Sequence, residues 1–333
     1  MTLKGAIRSY NAAVRRAERE AARRERDRAK RYKAEMKQLE LDDAESEVDE
    51  YQSKMETLLG FHKEKYVPIN WNDISQEAEP TPPLNEEKYR KQAQAELDSY
   101  IPGFFQKLFR LEASVRLEMM RKVTIATESD SREYAEALKQ YSEKLQEWKC
   151  SQDLSKRILQ GDAKSYLEVI EETRAFNELQ ENEANVTVEF VNPKELLVNV
   201  LFKGDSVIPP EVKDLLKSGK LSVKKLPTAK FNSIFQDHIC SGILSVASEL
   251  FSILPVETVY VNAKLTMLDP KTGHLRDTVI VSVMIPKATI NQLNLSEVDP
   301  SDSMKNFKCN MDFKPASGFS GVDEIRYSGI EVA

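Results

Sequence analysis

Cysteine and histidine are both scarce, with three of each in 333 residues. Cys150, Cys240 and Cys309 are odd in number, far apart and outside any CxxC pair, which argues against a disulfide framework and a thiolate zinc site. Three histidines leave little material for metal or acid–base chemistry. We therefore predict no metal, no cofactor and a reducing, cytoplasmic location.

Long apolar runs are also missing. The N-terminal segment has no stretch of seven or more apolar residues, so we do not expect an exported protein. The most apolar stretch, 239–254, has 16 residues that include four serines and Glu249, and it falls short of the roughly 20 that a bilayer demands. We predict a buried helix there and no membrane partner.

The first 67 residues contain no proline, and their only glycines are Gly5 and Gly60, which predicts one long helix over 1–62. Its second part has apolar residues at the 3-4-3-4-3 spacing of a coiled-coil seam. These seam residues are Leu41, Ala44, Val48, Tyr51, Met55 and Leu58. Upstream, Ala29, Tyr32, Met36 and Leu39 follow the same spacing in a shifted frame, which weakens a continuous supercoil.

Charge is unevenly distributed along this helix. Residues 1–40 hold 13 bases and 6 acids, whereas 41–60 hold 1 base and 7 acids. The bases concentrate in the stretch 15–33, and we name these ten residues as candidate binding residues. They are Arg15, Arg16, Arg19, Arg23, Arg24, Arg26, Arg28, Lys30, Arg31 and Lys33. Four intrahelical pairs, such as Glu20 with Arg24, support the helix at i,i+4 spacing. Phosphate binding, pairing with an acidic partner and simple solvation all remain open.

Proline and composition suggest four regions: a charged helix with a coiled-coil segment (1–76), a Pro-rich linker (77–84), a helical region (85–184) and an α+β domain (185–333). In the helical region we expect helices over 103–123, 131–148 and 162–179 that form a helical bundle or helical hairpins, and 103–123 has a strong apolar face. The last region alternates apolar and polar residues, which predicts an antiparallel sheet crossed by one long helix, 228–254. The fold class is α+β.

Acidic residues near the last two strands raise the question of catalysis. Glu249 on the long helix and Asp269 and Asp277 around a hairpin loop could form a metal-dependent nuclease or hydrolase site, with His274 nearby. Such sites need a lysine beside the attacking water. The second strand has none, and Lys264 on the first strand follows Asn262 instead of an acid. These four residues are therefore only weak catalytic candidates, and we favour a protein that is not an enzyme.

We expect a non-enzymatic, self-associating interaction or scaffold protein. Its charged helix drives assembly into a homo-oligomer or docks an unknown protein partner, and its α+β domain serves recognition. The alternative from another class is a nucleic-acid-associated accessory factor of a DNA-processing or defence complex, with the basic helix on phosphates. The nuclease or hydrolase is a second alternative.

Overall fold

The computed structural model describes residues 3–181, 184–269 and 271–327, and within the first helix it describes the side chains of Arg16 and of Arg19 onward. The chain divides into two compact units. Residues up to Pro68 together with those from Val169 onward form what we call the sheet unit, and Ile69–Glu168 form the helical unit.

The elements of the two units follow the order expected of an α+β chain. The helices are α1 (Leu3–Gly60), α2 (Trp71–Ser75), α3 (Lys88–Asp98), α4 (Phe104–Leu108), α5 (Glu112–Leu159), α6 (Ala163–Glu172), α7 (Asn177–Glu181), α8 (Thr228–Ile253), α9 (Lys287–Ile290) and α10 (Pro300–Ser303). The strands are β1 (Ala184–Asn192), β2 (Glu195–Phe202), β3 (Glu211–Leu215), β4 (Leu221–Lys225), β5 (Thr258–Leu268), β6 (Leu275–Pro286), β7 (Lys308–Lys314) and β8 (Gly318–Ser320).

The long N-terminal helix is confirmed from Leu3 onward, and a 3-10 turn, Phe61–Lys63, extends it. Its seam residues face the same chain, because α1 contacts α8 and the β3–β4 hairpin. Ala44, Val48 and Leu58 are buried. The seam is therefore occupied within the chain, and any coiled coil between copies has to use another face of α1.

The main sheet has the order β1-β2-β5-β6-β7-β8 and is mostly antiparallel, as predicted. The exception is β2 with β5, which pair in parallel because the crossover through α8 returns the chain to the same end of the sheet. β3 and β4 form a separate hairpin. The sequence indicated β4 but not the five-residue β3.

The predicted long helix is α8, and it fills the core on one face of the sheet. Ile239, Ile243 and Leu250 are fully buried. A Cβ atom on Gly242 would lie 3.1 Å from the Phe202 ring, so glycine permits the close approach expected at this point of the helix. Among the described helices, none combines the length and apolarity that crossing a membrane requires.

One strand departs from simple alternation. Ala263 pairs with Val281 and Lys264 with Val279, which leaves Ile280 as the extra residue of a β-bulge. Paired residues point to the same face, so Val279 lies on the face of Lys264. Strict alternation would place Val279 on the same face as Val281, and the bulge places it on the opposite face.

The second face of the sheet is covered by the C-terminal segment 321–327. Ile325 packs with Leu197 and Tyr260, and its backbone N–H donates to Ser282 Oγ at 2.9 Å. That hydroxyl donates in turn to Asn262 Oδ1 at 2.6 Å. The polar side chains of this face are thus buried with their hydrogen bonds satisfied.

The helical unit is built on α5, a 48-residue helix against which α2 and α3 pack. The buried Asp130 carboxylate accepts the backbone N–H groups of Tyr89 (3.0 Å) and Arg90 (2.7 Å), which begin α3. The Pro-rich stretch 77–84 runs beside α5, where Trp148 Nε1 donates to the Glu77 carbonyl at 3.0 Å.

Two helix predictions in this region need correction. The segments 103–123 and 131–148 were expected as separate helices, but α5 runs through both and the break falls at 109–111, where Arg110 has a φ of +54°. The expected helix 162–179 is split into α6 and α7 because Arg174 and Phe176 take left-handed conformations, with φ of +51° and +68°.

Burial in the helical unit is thin. Neither α3 nor α4 has a buried residue, and α5 buries only Asp130, Gln152, Ser155 and Ile158. The strong apolar face of 103–123 would be covered in a bundle. Instead, the segment 101–111 between α3 and α5, which we call the hairpin end, is the most exposed apolar part of the unit. Its exposed fractions are Ile101 84%, Phe104 76%, Phe105 71%, Leu108 62%, Phe109 65% and Leu111 49%.

The compact units cut across the four regions named from composition. The long helix and the C-terminal sheet belong to one unit, and the 77–84 stretch lies inside the other. The boundaries 1–76, 77–84, 85–184 and 185–333 stay a prediction for separately folding domains.

The buried seam predicts a large effect of Leu58→Ala on stability. Leu58 is 2% exposed at the junction of α1 with the sheet unit, so truncation leaves a cavity and should lower the free energy of unfolding by about 2–5 kcal/mol. Leu268→Ala is the control, because Leu268 is 63% exposed in the same unit and should change it by no more than about 0.5 kcal/mol. Equal effects of the two variants in urea titrations would contradict a buried seam.

Candidate interaction surface on the N-terminal helix

The ten candidate binding residues lie in α1. All nine whose side chains are described are exposed, and Arg15 lies in the helix with its side chain outside the described set. Every described side chain from 19 to 40 is exposed, and the spacing of the cations distributes them around the helix. At 1.5 Å per residue, the 22 residues from 19 to 40 form an arm about 33 Å long.

The ion pairs expected within this arm are mostly not formed. Arg24 lies 3.9 Å from Glu20, with both side chains at least 70% exposed. Among the described side chains of the arm, this is the one pair within 4.0 Å. An exposed pair of this length contributes little to stability, so the cations stay available to another molecule.

The arm also carries an exposed apolar stripe. Tyr32 is 64% exposed, Met36 41% and Leu39 50%, and their 4-3 spacing places them on one face. This stripe is the shifted upstream frame seen in the sequence. Because these side chains stay exposed beside the described residues, the stripe is the apolar part of the candidate surface, and it lies at the end of the basic half of α1.

The acidic half of α1 is fixed to the sheet unit and turns its carboxylates outward. Asp42, Asp43 and Asp49 are exposed, whereas Glu47 bonds Lys213 at 2.7 Å across to the β3–β4 hairpin. The seven acids of 41–60 therefore form a fixed anionic surface next to the free basic arm.

Two buried histidines hold the end of α1. His238 Nδ1 lies 2.9 Å from the Leu58 carbonyl oxygen, and His62 Nδ1 lies 2.8 Å from Ser241 Oγ. Burial lowers the pKa of both imidazoles, so both are neutral near pH 7. Neutral His238 donates from Nδ1 to the carbonyl, and its ring stacks on Phe235 at 6.2 Å. These histidines are structural groups that set the direction of the helix.

The weak catalytic candidate Glu249 lies near the end of α8. Its carboxylate accepts the Phe176 backbone N–H at 2.9 Å. Burial, with added repulsion from Glu178 and Glu64, raises its pKa to about 7. The carboxylate stabilises the turn between α6 and α7, which accounts for its position without any chemical role.

The other catalytic candidates lie around the loop that follows β5. This loop is about 36 Å along the strand from Thr258, the residue where β5 begins. Buried Asp269 accepts the Lys271 N–H at 2.8 Å and lies 3.5 Å from Arg276, while Asp277 accepts from Thr266 Oγ1 at 2.7 Å. His274 is exposed in the loop. The fold therefore groups these three around the hairpin and separates them from Glu249. In the described part of the chain, no cluster of three or more acidic, histidine or cysteine side chains could hold a metal.

Sequence reasoning missed the hairpin end as a surface. Its signal was there: four large apolar residues, Phe104, Phe105, Leu108 and Phe109, follow Pro102 and Gly103 with Lys107 and Arg110 among them. A buried helix seldom carries cations inside its apolar face, so the mixture indicated exposure.

Glu249→Gln should change the pH dependence of stability. The pKa of Glu249 is about 7 in the folded chain against 4.5 in the unfolded chain, so the native state binds more protons between these values. Its contribution is complete below pH 4.5 and is lost as the pH rises through 7. Relative to the parent, Glu249→Gln should gain up to about 3 kcal/mol between pH 4.5 and pH 8 in urea titrations, since each pKa unit corresponds to about 1.4 kcal/mol and partial solvation of the carboxylate lowers the total.

The matched control for that measurement is Glu257→Gln. Glu257 is 65% exposed and pairs with Lys194 on the surface, so its substitution should leave the slope of stability against pH unchanged. A parallel pH curve for Glu249→Gln and the parent would show that the carboxyl group titrates normally.

Comparison with known proteins assigns no family to the chain. No family model, no curated protein and no solved structure matches it. A function therefore has to rest on the surfaces of α1 and of the hairpin end.

Proposed function

We propose that this chain is a non-enzymatic, self-associating interaction protein in which α1 pairs antiparallel with α1 of a second copy. The observation that carries the proposal is the exposed stripe Tyr32, Met36 and Leu39, which ends the net +7 segment 1–40 just before the net −6 segment 41–60 of the same helix. An apolar stripe flanked by charges of opposite sign is the pattern of a helix-pairing surface.

The spacing of residues suits a two-fold axis near residues 35 and 36. In an antiparallel pair about that axis, Tyr32 of each copy lies opposite Leu39 of the other, with Met36 at the centre. The same register sets Arg28, four residues before Tyr32, opposite Asp43, four residues after Leu39. Both of these side chains are exposed, so each dimer would have two identical ion pairs beside its apolar contacts.

The lengths of the charged segments support the same pairing. The arm from 19 to 40 is about 33 Å long and the segment 41–60 about 30 Å, so the basic part of one copy can lie along the acidic part of the other. Parallel pairing would instead oppose like charges along the whole contact, which costs free energy. This pairing does not require the seam residues of α1, which are buried within each copy.

The reducing location inferred from cysteine usage fits this proposal. All three cysteines are free thiols in the structure, and Cys150 is exposed. A cytoplasmic site of action, with an unidentified protein as a further partner, therefore accompanies the proposed self-association.

If the copies associate through the stripe, substituting its three apolar residues should separate them. Tyr32→Ser, Met36→Ser and Leu39→Ser combined should leave a 38.0 kDa particle by light scattering at micromolar concentration, where the parent forms a multiple of that mass. Leu268→Ser with Leu275→Ser is the control, because these two exposed leucines lie on the β5–β6 hairpin. A parent mass of 38.0 kDa in about 50 mM salt would contradict the proposal.

A charge exchange tests the antiparallel register. Arg28→Glu and Asp43→Arg should each weaken self-association, since each puts two like-charge contacts into its own dimer. An equimolar mixture of the two variants should recover it, because both contacts between unlike copies are then attractive. Failure of the mixture to exceed either variant alone would rule out this register.

Nucleic-acid binding is the second candidate function. It is favoured by the exposure of all nine described cations in the stretch, of which only Arg24 lies within 4.0 Å of a described carboxylate. Arg24, Arg28 and Arg31 recur on one face of α1 and could follow a phosphate backbone. The interspersed acids Glu20, Glu25 and Asp27 weaken such a surface.

The salt dependence of binding tests this second function. If α1 contacts phosphates, titration of labelled duplex DNA or RNA from about 50 to 300 mM salt should give a log–log slope near −0.9 per contact. Arg24→Gln with Arg31→Gln should make that slope shallower by about two contacts. Lys139→Gln with Lys144→Gln, two exposed lysines of α5, is the control. Binding that is absent at the lowest salt, or unchanged by the arginine variants, counts against it.

A further inference from the structure

The hairpin end concentrates exposed apolar side chains at one place in the helical unit. Its six large apolar residues are each 49–84% exposed. Single exposed apolar residues are ordinary, but a contiguous group of this size marks a surface that meets something other than water. Neither α1 pairing nor phosphate binding uses it.

Hydrogen bonds fix the conformation of the hairpin end, and its apolar side chains face solvent. Gln106 Oε1 accepts both the Gly103 N–H and the Tyr100 hydroxyl, each at 2.9 Å, and so ties the inner side of α4 to the turn. Phe104 and Leu108 lie one turn apart, as do Phe105 and Phe109. These four cover a continuous arc of about 140° on the side away from Gln106.

The hairpin end itself holds two cations and no acid, and further bases follow it in α5, while Glu96 and Asp98 precede it in α3. Between 101 and 125 the bases are Lys107, Arg110, Arg116, Arg121 and Lys122, against the acids Glu112 and Glu118. All five bases are exposed, and within the described residues none lies within 4.0 Å of a carboxylate. The surface therefore combines outward aromatic rings with a net positive charge.

We propose that the hairpin end binds the surface of an anionic lipid bilayer. Aromatic and leucine side chains enter the boundary between headgroups and acyl chains, while Lys107 and Arg110 contact the lipid phosphates. The arc on α4 is about 8 Å long, which suits insertion to the 5–10 Å depth of an interfacial segment. A second copy fits less well, because two such ends would oppose cation to cation.

This mode of binding needs no membrane-spanning helix. The prediction of no membrane partner rested on the absence of a spanning segment, and a peripheral contact is compatible with that absence. The proposal is independent of α1 pairing, since the two surfaces share no residue.

Co-sedimentation of the full chain with vesicles tests the proposal. Vesicles of phosphatidylcholine with about 30% phosphatidylserine should bind the parent at least tenfold more tightly than phosphatidylcholine alone, and added salt should weaken the binding. Phe105→Ser with Phe109→Ser should reduce binding about tenfold or more, and Lys107→Gln with Arg110→Gln should remove most of the preference for anionic lipid.

The control is again Leu268→Ser with Leu275→Ser, which removes two exposed leucines from the β5–β6 hairpin and should leave vesicle binding within about twofold. Absence of parent binding to anionic vesicles, or equal binding by the phenylalanine variant, would overturn the proposal. So would a lower light-scattering mass of the phenylalanine variant without lipid, since the hairpin end would then be a protein contact. Self-association through α1 is judged separately by the stripe variant.

Discussion

The structure depends on the packing of the second part of α1 against the sheet unit. Ala44, Val48 and Leu58 are buried there, and His238 and His62 bond the end of the helix through Leu58 and Ser241. A helix held over 41–62 has a fixed direction, so the remaining turns must continue along the same axis away from that contact. The exposed arm, its cations and its apolar stripe all follow from this one anchor.

The same anchor explains why the charges of α1 are segregated. Acidic residues are favourable in the segment 41–60, because this part of α1 lies beside the β3–β4 hairpin. There Lys213 forms an ion pair with Glu47 at 2.7 Å. Bases suit the arm, because its described side chains are exposed and their charge keeps it solvated. The proposed antiparallel pair uses this segregation, because it sets the basic segment of one copy beside the acidic segment of the other. The apolar contacts of that pair would come from the short stripe near the boundary of the two segments.

Much of this fold could be predicted from the sequence, and the failures have physical reasons. The scarcity of glycine and proline indicated α1, and alternation indicated β5 and β6. The 3-4 spacing from Leu41 to Leu58 showed that one side of α1 is buried, but such spacing cannot tell a second helix from the body of the same chain. The bulge at Ile280 was invisible because Val279, Ile280 and Val281 are all apolar. The parallel pairing of β2 with β5 could not be predicted without knowing that α8 crosses over the sheet between them.

The candidate surfaces were predictable to different degrees. Exposure of the arginines follows from their charge, whereas the exposed Phe104 and Phe105 contradict the usual meaning of an apolar face, which is burial. The continuity of α5 could have been predicted by the criterion used for α1, since residues 112–159 contain neither glycine nor proline. The structural role of Glu249 depends on Phe176, 73 residues away in sequence.

Disulfide trapping between copies tests the antiparallel α1 pair most directly. On a Cys150→Ser background, Arg28→Cys in one population and Asp43→Cys in the other should give rapid disulfide-linked dimers when the two are mixed under mild oxidation. Arg28→Cys alone should not, because antiparallel pairing separates the two copies of that position by about 22 Å. Faster linking of Arg28→Cys to itself than to Asp43→Cys would contradict the account.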